Sequence, residues 1–309
     1  MLLEETQYKH SERSLARLRL DSTTIVTAIS CARAAAIYDV HERRGKPTTN
    51  VPTGLPLDFN SLHVSGRNFS VVIDPMRFDD DDFQMLERGH AHYTQNGNGT
   101  SAAFNAIGLS REDVTHVIVT HAHADHFSGV TMDAADTLPT FPHARHFVSR
   151  LDWESVGKRH RARLHRSFRA LEARGLLELV DGDMQVAPGL ELVCTPGETP
   201  GHMAVRIASK ERPFVWTGDL FHHAAEVRHL DWVNAALSCD SPDMERTIAE
   251  FASARHRILT EAVTDGSVVS FAHAPLPTWG SVTQDGDLFE WTLFPPDSGS
   301  QGPAREEKM

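Results

Sequence analysis

Cysteine and tyrosine are scarce in this chain, at three residues each in 309. Cys31, Cys194 and Cys239 are odd in number, far apart and without a C-x-x-C pair. That excludes a disulfide framework and reads as reduced, structural thiols of a cytoplasmic protein. Long hydrophobic runs are missing too. The most apolar early stretch, Ile25–Tyr38, is short and carries Arg33, and the opening MLLEETQYKHSERSLARLRL is too charged for a secretory signal. Neither is a membrane span or an export signal. Positive charge is in deficit, with 30 Lys+Arg against 42 Asp+Glu and a formal charge of −12. Such a surface repels phosphate backbones and anionic lipid, which sets nucleic acid and membrane aside as partners. There is no G-x-S-x-G elbow, no P-loop and no G-x-G-x-x-G, so covalent-serine and nucleotide-cradle chemistries lack support. Histidine, by contrast, is abundant: 19 residues.

Its distribution is uneven, and one stretch stands out: Thr115–His126, THVIVTHAHADH. Val117, Ile118 and Val119 form the β-branched run of a buried strand. Immediately after it, His121, His123, Asp125 and His126 place three imidazoles and a carboxylate in six positions, spaced only by Ala122 and Ala124. A strand end and the turn after it can aim such side chains at one point. Neutral imidazole and carboxylate are the donors a borderline divalent ion such as zinc prefers.

The remaining elements suggest an α/β protein. Residues 1–20 read as a helical, loosely attached arm, 21–295 as one domain and 296–309 as a flexible tail, with disorder expected from Pro295. Strands are expected at Thr23–Ile29, Asn68–Ile73, Val186–Cys194, Met203–Ile207, Phe214–Thr217 and Ser267–Ala272. Residues 41–62 read as a loop, Asp79–Asp82 as a solvated turn and Gly89–Thr100 as a mobile segment. Ser110 and Asp113 resemble a capping box. Asp152–Arg174 is the clearest amphipathic helix, with Trp153, Val156, His160, Leu164, Phe168 and Leu171 on one face, arginines on the other and Gly175 as its stop. Ser241-Pro242 opens a second helix. Strands in two clusters with helices between them suit an αββα sandwich of two mixed β-sheets.

Three later residues of ligand type sit at strand or loop junctions. His202 follows Thr199-Pro200-Gly201, Asp219 closes the TGD after a strand, and His273 lies in FAHAP. Together with the first cluster they make five histidines and two aspartates. In this order, with 76 residues from His126 to His202, 17 to Asp219 and 54 to His273, they resemble the metallo-β-lactamase superfamily and its H-x-H-x-D-H signature. The resemblance implies that His121, His123 and His202 hold one metal ion and that Asp125, His126 and His273 hold a second. Asp219 would bridge the two, and Asp74 would support the site from behind. It further implies two divalent ions, zinc by preference with manganese, iron or cobalt also compatible, and a hydroxide between them as nucleophile. A homodimer is compatible with the same resemblance.

The segments WTGDLFHHAAEVRHLDW, SPDMERTIAEF and GSVTQDGDLFEW look like the lactonase-like and organophosphate-hydrolase-like branch. That implies a small-molecule lactone or carboxyl ester as substrate, with a phosphotriester or thioester as the alternative. A degenerate scaffold used for binding is the non-enzymatic alternative, although such scaffolds usually lose ligands. Asp125 would orient the attacking hydroxide. His222 stands three residues after the bridging Asp219, where the lactonases carry Tyr, and either donates to a substrate oxygen or packs. Phe127, Phe221 and Trp279, with Phe78 or Trp153, either wall an apolar pocket or belong to the core.

Overall fold

The computed structural model describes residues 15–38, 40–42, 46–47, 55–77, 92–95, 104, 107–133, 135–159, 163–234 and 243–295. Two mixed sheets face one another. In the first, the strand order is Leu15–Arg19, Ile25–Tyr38, Leu55–Ser65, Ser70–Ile73, His116–Ile118, Arg145–Ser149 and Leu177–Val180, with His92–Gln95 pairing onto Ile25–Tyr38. In the second it is Met184–Ala187, Leu190–Cys194, Met203–Ile207, Phe214–Trp216, Val268–Ser270, Trp279–Asp285 and Leu288–Leu293. A small third sheet joins Val233–Asn234, Val40–Glu42 and Lys46–Pro47.

Side-chain alternation along the strands builds the layers. Val71, Ile73 and Ile118 point into the space between the sheets, where they meet Leu192, Met203, Val205, Phe214 and Trp216. Their neighbours Val72, Val117 and Val119 point outward onto Phe168 and Leu171 of the helix Arg163–Glu172. On the other side, Ala204, Val215 and Val269 pack against Ile248, Phe251 and Ile258 of the helix Met244–Asp265. The result is helix, sheet, sheet, helix, as the clustering of strands in the sequence implied.

Several local expectations are corrected. The arm read as helical contains the strand Leu15–Arg19, paired antiparallel with Ile25–Ile29. Ala16, Leu18 and Leu20 face the sandwich interior with a period of two while Leu15 packs on the outer face, so Leu15 and Leu18, three apart, lie on opposite faces of a strand and not on one face of a helix. Residues 1–14 and the tail from 296 lie outside the described residues, as do Phe78 and the acidic run Asp79–Asp82. The expected loop 41–62 yields from Leu55 to a long strand, and the segment 89–100 contains the strand His92–Gln95.

The helix expected over Asp152–Arg174 is described as two, Arg150–Arg159 and Arg163–Glu172, with 160–162 outside the described residues. Val186–Cys194 divides into a hairpin, Met184–Ala187 and Leu190–Cys194, turning at Gly189 with φ of 78°. The last helix starts at Met244 and is capped by Asp243, whose carboxylate accepts from the Arg246 amide at 3.1 Å. Ser241 and Pro242 lie outside the described residues. Ser110 does cap a turn, Arg111–Asp113, but through the Glu112 amide and not through Asp113. Phe127, Phe221 and Trp279 are core residues in three different layers, each about 1% exposed or less, so they wall no common pocket. Trp153, half-buried, packs onto Phe168 in the outer layer.

Candidate metal centre

The strands Ser70–Ile73, His116–Ile118 and Arg145–Ser149 run parallel, so their carboxyl ends lie along one edge of the first sheet. Asp74 leaves the first of these and the HAHADH turn leaves the second. In the second sheet, Phe214–Trp216 and Val268–Ser270 are also parallel, and their ends deliver Asp219 and His273 to the same end of the sandwich. His202 enters at the start of Met203–Ile207, whose first amide donates to the Thr120 carbonyl across the gap between the sheets. Local conformation completes the aim. His123 is extended (φ −94°, ψ 150°) before the helical turn Ala124–Phe127, which swings Asp125 and His126 back toward the imidazoles before them.

Two groups of four donors result, each with its ligand atoms within 4.8 Å of one another: His121, His123, Glu198 and Asp219, and Asp125, His126, Asp219 and His273. Asp219 is common to both. Its Oδ2 lies 3.2 Å from His126 Nε2, 3.2 Å from His273 Nε2 and 3.6 Å from His121 Nε2. His121 Nε2 and His123 Nδ1 are 2.9 Å apart. Asp125 Oδ2 stands 3.5 Å from His126 Nε2 and 3.6 Å from His273 Nε2. His202 stands just behind, its ring 5.1 Å from that of His121 and its Nε2 accepting from the Asp219 amide at 3.2 Å. His222 is brought in as well. Its Nε2 lies 3.4 Å from Asp219 Oδ2, and its ring stacks on His273 at 5.4 Å, nearly parallel.

A further set of contacts turns one nitrogen of four of these histidines away from the centre, the usual device around a metal. His273 Nδ1 is bound to the Asp58 carbonyl at 2.9 Å and His202 Nδ1 to the Thr195 carbonyl at 3.0 Å. His121 Nδ1 meets Thr120 Oγ1 at 3.2 Å, and His126 Nδ1 faces Asp74 Oδ2 at 3.2 Å. Asp74 is fully buried and held in place by the Thr120 amide at 2.8 Å, Thr120 Oγ1 at 3.0 Å and Trp216 Nε1 at 2.8 Å. It therefore ties both sheets to the site. Asp152 ties the loops. It accepts from the Ala122 amide at 2.9 Å, Thr199 Oγ1 at 2.8 Å and the Gly201 amide at 2.8 Å. Close packing here requires glycine: a Cβ on Gly218, whose φ is +52°, would lie 2.9 Å from both His202 Nε2 and Thr120 Oγ1.

Glu198, Asp152 in this role and Glu226 were not singled out in the sequence. Glu198 lies in TPGETPGH, four residues before His202, and the signal for it was a carboxylate inside a Pro-Gly-rich loop next to a ligand-type histidine. Nothing local marks Glu226. Its carboxylate accepts from the His222 amide at 2.6 Å and meets the fully buried Arg255 at 3.2 Å.

The electrostatics match a site built to gather cations. Burial alone would raise the Asp219 carboxyl, yet His126, His273 and His222 around it hold it well below the usual carboxylate range. Burial, then the cationic neighbours His126 and His123, push His121 well below an ordinary histidine. Burial opposes charge on Asp125 as well, but His126 beside it brings its carboxyl down to about 2. Asp219 Oδ1 and Glu198 Oε2 are buried and accept no hydrogen bond, and neither ring nitrogen of His126 makes a well-aligned one. Buried polar atoms are seldom left so. Unsatisfied lone pairs of oxygen and imidazole nitrogen, converging within ligand distance of each other, suit a pair of divalent ions.

The model of the metallo-beta-lactamase superfamily matches residues 60–273, more than two-thirds of the chain. The chain belongs to the metallo-beta-lactamase superfamily. Among curated relatives, an N-acyl homoserine lactonase of Bacillus thuringiensis is 28% identical over 108 residues, 34% of this chain and 37% of that protein. One of Bacillus cereus is 26% identical over 109 residues, 35% and 39% of the two chains. The chain thus spans somewhat over a third of the length of the curated relatives it matches. Among solved structures, the dizinc quorum-quenching lactonase AidC superposes with a TM-score of 0.71 at 17% identity, over 91% of this chain and 98% of that one. The hydrolase AbOPH gives 0.66 at 15% identity, over 92% and 98%. These two likenesses concern the superfamily's fold. Among the described residues, no helix is long and apolar enough to cross a membrane.

Proposed function

We propose that this superfamily member is a metal-dependent hydrolase of a small lactone or carboxyl ester, working through two divalent cations. The observation that carries the reading is the pair of four-donor groups sharing Asp219. His121 and His123, with His202 behind them, would hold one ion, and Asp125, His126 and His273 the other, with Asp219 between. When bound, such ions supply Lewis acidity and bring the pKa of a coordinated water toward neutrality. The protein's own part is orientation. His123 and Asp125 are the most open members of the site, with side chains 20% and 17% exposed, while His121, His126 and Asp219 are at 3% or less. Substrate therefore approaches from the HAHADH side. Asp125 lies at that mouth, where its carboxylate would orient the attacking hydroxide as well as ligate. His222, with Nε2 turned toward Asp219 and its amide bonded to Glu226, would donate to the leaving alkoxide, or else packs against His273.

Support for the lactone class comes from the curated lactonase relatives and from the lactonase AidC, whose fold is shared. The test is a hydrolysis screen of the metal-reconstituted protein across lactones, aryl esters, thioesters and phosphotriesters. Turnover of lactones or esters, abolished in Asp219→Ala, is the expected result. A phosphotriester or thioester preference replaces the substrate class and keeps the site. No hydrolysis by a protein loaded with two cations refutes the proposal.

A further inference from the structure

Among the carboxylates of the two donor groups, Glu198 is the one that the superfamily resemblance did not imply. It sits in the loop between Cys194 and His202, and Thr199 beside it is pinned to Asp152. Its side chain is only 6% exposed. Oε1 stands 3.2 Å from His123 Nδ1, the same nitrogen that lies 2.9 Å from His121 Nε2. Oε2 stands 3.6 Å from His222 Nε2 and accepts no hydrogen bond. Burying a carboxylate with an unsatisfied oxygen is costly unless a cation meets it. Glu198 belongs with His121, His123 and Asp219 to the first donor group, whose ligand atoms all lie within 4.8 Å of one another.

We propose that Glu198 is an oxygen ligand of the first cation and moves that site's preference from zinc toward harder divalent ions such as manganese. This rests on the two-cation reading above. Two consequences follow from the donor chemistry. Glu198 joins Asp219 as a second carboxylate beside His121 and His123, and carboxylate oxygen suits manganese where imidazole suits zinc. It also brings a third carboxylate to the pair, after Asp125 and Asp219, so two divalent ions are left with one uncompensated positive charge instead of two. The first site then tolerates a weakly held, strongly hydrated ion that a set with Asp219 as its one carboxylate would lose.

The test uses the full-length chain, stripped of metal by chelator dialysis and titrated with Zn(II) and Mn(II), separately and in competition, with elemental analysis of bound metal. Wild type is expected to take up two equivalents of either ion. In Glu198→Gln, one manganese equivalent should weaken about 100-fold and the matching zinc equivalent about 10-fold, raising zinc-over-manganese selectivity about tenfold, on the scale of ligand-shell changes. Glu198→His should restore zinc and not manganese. Unchanged stoichiometry and selectivity in Glu198→Gln overturns the assignment. A parallel loss of both metals overturns it too, because a carboxylate that only orients His123 weakens every ion alike. Wild type that binds neither ion overturns the hydrolase reading itself. Should Glu198→Gln lose its far-UV circular dichroism, Glu198→Asp carries the test, since one methylene less withdraws the oxygen and must shift selectivity in the same direction.

Discussion

Replacing Arg255 by Met tests how the loop that carries His222 is held. Arg255, on the helix Met244–Asp265, is completely buried. Its guanidinium donates to the carbonyls of Leu220, at 2.6 Å, Leu230, at 3.1 Å, and Trp232. It also lies 3.2 Å from Glu226 Oε2 and over the ring of Phe251 at 4.6 Å. Burial works against both charges, raising the Glu226 carboxyl and lowering the Arg255 guanidinium, each partly countered by its partner. The pair as such therefore adds little net stability. Its value lies in satisfying three carbonyls and, through Glu226, the His222 amide. Arg255→Met leaves a buried carboxylate without its cation and should cost about 3–5 kcal/mol. Adding Glu226→Gln removes the stranded charge while keeping an acceptor for His222. That should recover about 1–2 kcal/mol, the rest being the unsatisfied carbonyls at about 1–3 kcal/mol each before relaxation. Urea unfolding by tryptophan fluorescence and circular dichroism reads both values, provided the slopes agree. A cost below about 1 kcal/mol for Arg255→Met, or a double variant no better than the single one, refutes this account.

Acid should destabilise the fold through His146, which is buried in the strand Arg145–Ser149, with Nδ1 bonded to the Ala144 carbonyl and its pKa pushed down to about 4 by burial. The unfolded chain takes up that proton near pH 6.5 and the folded one only near 4, so stability is full above 6.5 and falls between these limits by up to about 3 kcal/mol. His146→Leu should flatten that part of the stability–pH curve, and an unchanged slope would discount the residue. Gly218→Ala should lower stability by about 1–3 kcal/mol, because it combines a left-handed backbone with a Cβ close to His202. Activity should fall further than stability; equal and small effects would show that the loop gives way freely. For His222→Ala, a fall in turnover of about 10²–10³ is expected of a proton donor. An unchanged rate would leave it as packing around His273.

The ligand cluster was legible because most of it is local. Three imidazoles and a carboxylate in six positions after a β-branched strand already imply convergence, and His121, His123, Asp125 and His126 all fall in the two donor groups. His202, Asp219 and His273 were legible only as a pattern along the chain, since nothing about a TGD or an FAHAP says where its strand ends in space. The layer order followed from strand clustering, but two stretches misled. Leu15–Arg19 is a strand whose leucines also fit helical spacing, and the hairpin at Gly189 is marked in the sequence by Pro188-Gly189, a turn signal inside what reads as one strand.

By itself, then, the sequence determined the chemistry on offer: five histidines and two aspartates at strand ends, on an acidic chain with no nucleophilic serine elbow. Only the tertiary structure decided which further groups join them. Asp152, Glu226 and Arg255 carry no local mark, and Glu198 only its place in a Pro-Gly-rich loop, because a charged group's role is set by what surrounds it once water is excluded. In the chain they are ordinary charged residues that solvent would satisfy; in the fold each must find a partner or a cation, and the direction each then faces is fixed by contacts up to hundreds of residues away, as between Asp58 and His273.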